Sequence, residues 1–322
     1  MKIRLYFLLL ALPALLLNGC AFVNVSLLSA PSPLQEQVVE GDGPKKILIV
    51  DVEGFISEKG SAGLIREKPS TVIQVKEALQ KAAEDRDLAG VILRINSPGG
   101  TVAASDIIYH EVMTFRMKSR IPVYAVITGI GASGGYYVAV AADEISAHPT
   151  AVTGSIGVLV MKFQITGLME KIGVSEQTVK SGPMKDIMSL FRSGTPEEEK
   201  LIQGVIDGMY RRFVNVTLAR SGNRLSREEL LAAADGRIYT ADQALKAGLI
   251  DRVAYLDETI AVMKQKLGLD RATIITYNRP GGYKGTIYSG LPEGSPPVIN
   301  LLNINTGDLD LLTSSRFLYL WN

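Results

Sequence analysis

From residue 46 onward, short apolar runs alternate with stretches of helical period. Lys46–Val52 (KILIVDV), Gly90–Ile95 (GVILRI) and Pro122–Ile127 (PVYAVI) are continuous apolar runs of strand length and read as buried strands. Between the first two, Val72, Val75, Ala78, Leu79 and Ala82 recur at helical spacing and predict a helix over 71–85. Thr101–Met117 reads as a second helix, and the small-residue run Val138–Ala142 as a third, tightly packed one. Strand and helix alternate, which predicts an α/β fold: a parallel sheet with covering helices. Further on, Glu144–Ala147 reads as a short strand, Thr150–Gly157 (TAVTGSIG) as a small-residue turn, and Val174–Lys180 as a strand or sheet edge. Three capping-box patterns then mark helix starts: Thr195-Pro196-Glu197-Glu198, Ser226…Glu229 and Thr240…Gln243. The first opens a long helix running to about Arg220, and Leu256–Leu267 is a last helix.

The two ends of the chain break this pattern. Lys2 and Arg4 precede the apolar run Phe7–Leu17, which is short for a membrane span and reads as a targeting segment. It ends at Leu17-Asn18-Gly19-Cys20, which resembles a bacterial lipobox whose cysteine is lipidated. Residues 1–19 are therefore taken as a lipoprotein signal and 20–45 as a tether, with a single catalytic domain over 46–270. In the extension 271–322, Pro280–Pro297 is rich in Gly, Pro and Ser, and an apolar end, Phe317-Leu318-Tyr319-Leu320-Trp321, reads as a docking strand.

Composition narrows the chemistry. The 322 residues are 47% hydrophobic and 21% charged, enough for a sizeable core, and a net charge of +1 gives no reason to expect a nucleic-acid partner. Two histidines and one cysteine leave no His/Cys metal site, and no cofactor is implied. Exported, the fold has no cysteine pair for a disulfide.

The chain is organised around Thr128–Tyr137 (TGIGASGGYY), a glycine-rich link from strand to helix with one serine inside. Backbone N–H groups gather at such a helix start and suit an anion. Gly129-Ile130-Gly131-Ala132-Ser133-Gly134 matches a dinucleotide fingerprint, yet no acid stands about 20 residues on, where Pro149–Thr153 lies. Gly131-Ala132-Ser133-Gly134-Gly135 also matches a nucleophile elbow, whose triad needs a downstream histidine. The only histidines are His110 and His148. A third reading is a serine activated by a neutral lysine, whose usual pKa of about 10.4 must then fall by roughly 3 units. Lys185 is the best candidate: it lies in a Gly-Pro loop among Pro183, Met184, Ile187 and Met188, although Asp186 beside it could hold it charged.

Four co-ordered segments carry a family resemblance. They are Arg94-Ile95-Asn96-Ser97-Pro98-Gly99-Gly100, Ala132-Ser133-Gly134-Gly135-Tyr136-Tyr137, Thr153-Gly154-Ser155-Ile156-Gly157 and Ser181-Gly182-Pro183-Met184-Lys185-Asp186. Over roughly Ile47–Tyr255 the chain resembles the bacterial signal peptide peptidase SppA (protease IV) family, a Ser/Lys-dyad branch of the ClpP/crotonase superfold of repeated β-β-α units. The resemblance implies a serine endopeptidase with Ser133 as nucleophile, Lys185 as general base and Ser155 orienting the lysine. It implies Gly100 and Gly134 as oxyanion-hole donors, and cleaved signal peptides and other extended apolar peptides as substrates. It further implies a homo-oligomer with active sites at subunit interfaces, Ser133 and Lys185 lying too far apart in one chain to hydrogen-bond. Expected location is the extracytoplasmic membrane face, held by a lipid on Cys20. Ala21 resembles outer-membrane sorting, whereas the family's substrates point to the inner membrane. Other classes stay open at this point: an inactive scaffold lipoprotein of the same fold, or a crotonase-like acyl-CoA enzyme sharing the oxyanion hole.

Overall fold

The uninterrupted apolar runs become the parallel centre of one sheet. The computed structural model describes residues 33–60, 69–279 and 317–321; the expected signal segment and Cys20 lie outside them. Strands β2 (Lys46–Ile56), β3 (Leu88–Thr101) and β4 (Val123–Ala132) lie side by side, with Ile49 beside Ile92 and Ile92 beside Tyr124. Alternate residues feed two cores. Leu48, Val50, Val52, Val91, Leu93, Ile95, Ala125 and Ile127 pack on one face. Ile47, Ile49, Ile92, Tyr124 and Val126 pack on the other. A sheet covered on both faces reads as continuous apolar sequence for this reason.

The helices on the first face start where their caps dictate. In α1 (Thr71–Glu84), the Ser70 hydroxyl accepts from Ile73 N, and Val75, Ala78, Leu79 and Ala82 are the buried stripe. In α2 (Val102–Ser119), Thr101 accepts from Ala104 N. The following α3 (Gly134–Ala139) is wholly buried; it begins four residues earlier than the small-residue run suggests. All three expected capping boxes form, at the starts of α5 (Pro196–Leu218), α6 (Arg227–Ala233) and α7 (Ala241–Lys246), with the short α4 (Thr166–Lys171) preceding them. The last helix, α8 (Leu256–Lys266), covers the second core through Leu256, Ile260 and Met263.

Three expectations need correction. The sheet starts inside the expected tether: β1 (Gln35–Glu40) pairs antiparallel with β10 (Thr273–Asn278). The strand β10 lies past residue 270 and runs parallel to β2, so the catalytic domain extends beyond both expected boundaries. Val174–Lys180 forms no strand; its residues are exposed, Val179 completely so. Among the described residues no strand pairs with it, so its two valines, set among Ser175, Glu176, Gln177, Thr178 and Lys180, have nothing to bury against.

At its far end the sheet forks. The strand β4 pairs with β5 (Glu144–Ala147) up to Ile127, then switches to β6 (Val152–Gly154) from Ile130 on. Beyond β5 lies β9 (Arg252–Val253), while β8 (Ile238–Thr240) pairs with β6. The strand β3 stays in register with β4 only to Ser97, after which its last residues, Gly99–Thr101, pair antiparallel with β11 (Phe317–Leu320). In turn β11 pairs with β7 (Leu159–Val160). Register shifts sit at both margins of the fork, between Glu53 and Phe55 of β2 and between Ile95 and Ser97 of β3, where bulges re-aim backbone toward a site.

Candidate active site

Ser133 stands at the fork, between the end of β4 and the start of α3. Its backbone is at φ 53°, ψ −114°, a conformation that side-chain-bearing residues seldom hold. The surroundings enforce it: Ser133 N donates to Gly154 O at 2.8 Å and Tyr137 N donates to Ser133 O at 2.8 Å. The serine is 1% exposed and its hydroxyl makes no capping hydrogen bond, so it is left for other use.

Two glycine amides meet beside it. A Cβ on Gly134 would lie 2.5 Å from Ser105 Oγ and 3.1 Å from Gly100 N, so the N-terminus of α3 abuts the end of β3 with no room for a side chain. Gly99, at φ +108°, turns the chain there. Two residues that sequence reasoning gave no role fix this turn. Ser97 Oγ donates to Gly54 O at 2.6 Å and accepts from Gly99 N at 3.0 Å, and Asn96 Oδ1 accepts from Ile130 N at 3.0 Å. The signal was their place, a polar pair wedged between an apolar strand and a diglycine.

Ser155 comes next to the serine through strand register. Ala132 pairs with Gly154, so Ser133 and Ser155 follow at the next step of the two parallel strands. Ser155 is also left-handed, at φ 50°, and 8% exposed, its N donating to Arg237 O at 2.7 Å.

Lys185 is not brought into this cluster. It is exposed in a chain of turns, its N donating to Gly182 O, and among the described residues its Nζ makes no hydrogen bond with Ser133 or any other group. Asp186 does not hold it. That carboxylate accepts from Lys180 Nζ at 2.6 Å and from Arg192 Nε and Nη2 at 2.7 and 2.6 Å. Arg192, with Lys180, keeps Asp186 well below the usual carboxylate range. Arg192 also grips Glu198, the capping-box residue of α5, lowering it from the usual 4.5 to about 2. His148 is buried on the second face against Tyr255 and its burial favours the neutral ring. Among the described residues no cluster of His, Cys, Asp and Glu could hold a metal.

The pattern of peptidase family S49 matches residues 116–270, and that of Clp protease matches residues 66–153. A putative signal peptide peptidase SppA of Enterococcus faecium is 37% identical over 243 residues, covering 76% of this chain and 70% of that protein. The chain belongs to peptidase family S49. A putative protease of Synechocystis is 38% identical, over 70% of this chain and 76% of its own length, and one of Methanocaldococcus jannaschii is 32% identical over 96% and 99%. The S49 protein described here is accordingly a serine endopeptidase, which sets aside the acyl-CoA and dinucleotide readings of its glycine-rich turn.

Proposed function

We propose that this S49 peptidase cleaves extended apolar peptides, remnants of signal peptides among them, with a Ser133–Lys185 dyad completed between subunits. The observation that carries this is the split itself. Ser133, Gly100, Gly134 and Ser155 converge within one chain, whereas Lys185 sits exposed with Asp186 already engaged by two other cations. In this reading Ser133 Oγ attacks the peptide carbonyl and Lys185 of a neighbouring copy takes the proton. The Gly100 and Gly134 amides hold the developing oxyanion, a contribution on the order of 3–4 kcal/mol per donor. Lys185 then delivers the proton to the leaving amine, and a water attacks the acyl-serine by the same route. Ser155, one register step from the nucleophile, steadies the amine. Phe163, Leu168, Ile172, Val174, Val179 and Phe191 are exposed around the lysine loop and supply an apolar face for the neighbour. Seating the ammonium against that face disfavours its charged form, which a base requires. A head-to-tail ring repeats this contact.

The fold is taken to be the ClpP/crotonase-like superhelix, in line with the Clp protease match and the forked sheet. Lipidation of Cys20 would hold the enzyme at the extracytoplasmic membrane face, near its substrates; loss of palmitate incorporation in Cys20→Ser tests that arm.

The deciding experiment mixes Ser133→Ala and Lys185→Ala chains, unfolds them together and reassembles them. Recovery of peptide hydrolysis is expected, because some contacts then join an intact serine to an intact lysine. A mixture as dead as either parent would place the whole dyad within one chain.

A further inference from the structure

A base that works as a neutral amine is poorly served by a carboxylate beside it. An anion within about 4–6 Å of a lysine favours the ammonium and raises its pKa by roughly 1–3 units. Yet Asp186 directly follows Lys185. The local backbone deals with part of the problem. Lys185 N donates to Gly182 O at 3.1 Å, Ile187 N to Met184 O at 3.2 Å and Ser189 N to Asp186 O at 3.0 Å, each bond spanning three residues. Such a run has about three residues per turn, which sends successive side chains about 120° apart. Lys185 is left exposed, whereas the Asp186 side chain is 16% exposed and turned toward Arg192 and Lys180.

Turning a charge away does not cancel it, but its partners do. Arg192 spans two carboxylates: Nε and Nη2 donate to Asp186 at 2.7 and 2.6 Å, and Nη1 donates to Glu198 Oε2 at 2.9 Å. Its Nη2 also donates to the Asp186 carbonyl at 3.3 Å, so one guanidinium fixes the backbone and the side chain of that residue. Lys180 Nζ donates to Asp186 Oδ1 at 2.6 Å and to Pro183 O at 3.3 Å. Glu198 ties the group to the fold, its side chain 4% exposed and its Oε2 accepting from Thr195 N at 2.9 Å. Two cations and two carboxylates thus form a group of zero net charge next to Lys185.

Other charges stand around this group without reaching Asp186. Glu197 and Glu199 flank Glu198 in the first turn of α5. Lys162 approaches the Glu198 side, since a Cβ on Gly194 would lie 3.3 Å from Lys162 Nζ and 3.7 Å from Glu198 Oε2. Where α4 meets the loop, Ile165 N donates to Leu190 O, and Glu170 and Lys171 of that helix make no ion pair among the described residues. Among those residues only Arg192 and Lys180 pair with Asp186.

We propose that Arg192 and Lys180 are positioning residues for the base: they use Asp186 to anchor the lysine loop and cancel the charge that would hold Lys185 protonated. The proposal rests on the assignment of Lys185 as the base.

The test follows kcat/KM for a peptide against pH, using the full, assembled chain. Arg192→Gln uncovers the Asp186 carboxylate, so the neutral amine forms only at higher pH. The acid limb of the profile should move up by about one pH unit. Lys180→Gln leaves the contact between Arg192 and Glu198 in place and should move the limb the same way by less. Adding Asp186→Asn to either should return the limb to the parent's position, and Arg192→Lys, which keeps the charge, should hold it there. A loop that is only loosened loses kcat at every pH and leaves the limb where it was. An unmoved limb in both Arg192→Gln and Lys180→Gln overturns the proposal, and so does a shift that persists with Asp186→Asn. Should Arg192→Gln lose all activity, Lys180→Gln with and without Asp186→Asn decides; inactivity in all of these makes the cluster purely structural and overturns the proposal too. Lys185→Ala in the same assay separates the two failures. Near-normal turnover there overturns the base assignment, whereas loss there beside an unmoved limb overturns only the charge-cancelling role.

Discussion

The two halves of the proposed dyad live in opposite kinds of protein. Every residue from Gly131 to Ala142 is buried, and backbone hydrogen bonds pin both sides of Ser133. Not one residue from Gly157 to Glu197 is fully buried, and the loop carrying Lys185 is held chiefly by ion pairs from Asp186 to Lys180 and Arg192 and from Arg192 to Glu198. Packing on the serine side fixes geometry to within fractions of an ångström. Ion pairs on the lysine side fix only where a loop starts and ends, and leave its tip to whatever docks there. On the proposed reading, the nucleophile and its oxyanion donors are finished by folding, and the base by assembly.

The comparison breaks first at the dyad. Both Ser133→Ala and Lys185→Ala should lose peptide hydrolysis by about three or more orders of magnitude with melting temperatures near the parent's, since neither side chain supports packing. Lys185→Arg should be equally inactive, because a guanidinium does not give up its proton. Near-normal turnover in Lys185→Ala would remove the lysine half from the argument. A smaller effect is expected at Ser155→Ala. The alanine inherits the same left-handed backbone, so folding should be kept, while kcat falls about ten- to a hundredfold and KM changes little. Unfolding in a melting scan would make Ser155 structural instead.

The smallest effect concerns acid. Asp186 and Glu198 both have folded pKa values depressed by Arg192, so their contribution is complete above their unfolded values near 4 and is lost as pH falls toward 2. Limited proteolysis should therefore leave residues 173–195 equally resistant at pH 7 and 5 and cut them faster near pH 2. The serine turn, which contains no such pairs, should not follow. Identical acid sensitivity of the two regions would mean that the lysine loop is held by something other than these pairs.

Much of this was readable in the chain because it is local. The three capping boxes each need four consecutive residues, and all three formed as read. The glycine-rich turn and the Asn96–Gly100 segment announce themselves by residue type. Long-range pairing does not. Gln35–Glu40 is as polar as a tether, and only β10 beside it makes it a strand. The apolar β10 itself, Thr273-Ile274-Ile275-Thr276-Tyr277, carried a β-branched signal that went unused. The tail showed that it wanted a partner, yet nothing in Phe317–Trp321 says that the partner is Gly99–Thr101, more than 200 positions away. The separation of Lys185 from Ser133 followed from the family resemblance, not from spacing.

The backbone at Ser133 also sets the enzyme against itself. At φ 53°, ψ −114°, glycine is the residue that fits without strain, and a serine there costs about 1–3 kcal/mol. Ser133→Gly should therefore melt several degrees higher than the parent while hydrolysing nothing. Left to selection for folding alone, this position would drift to glycine; on the proposed reading, the demand for a nucleophile keeps the less stable serine.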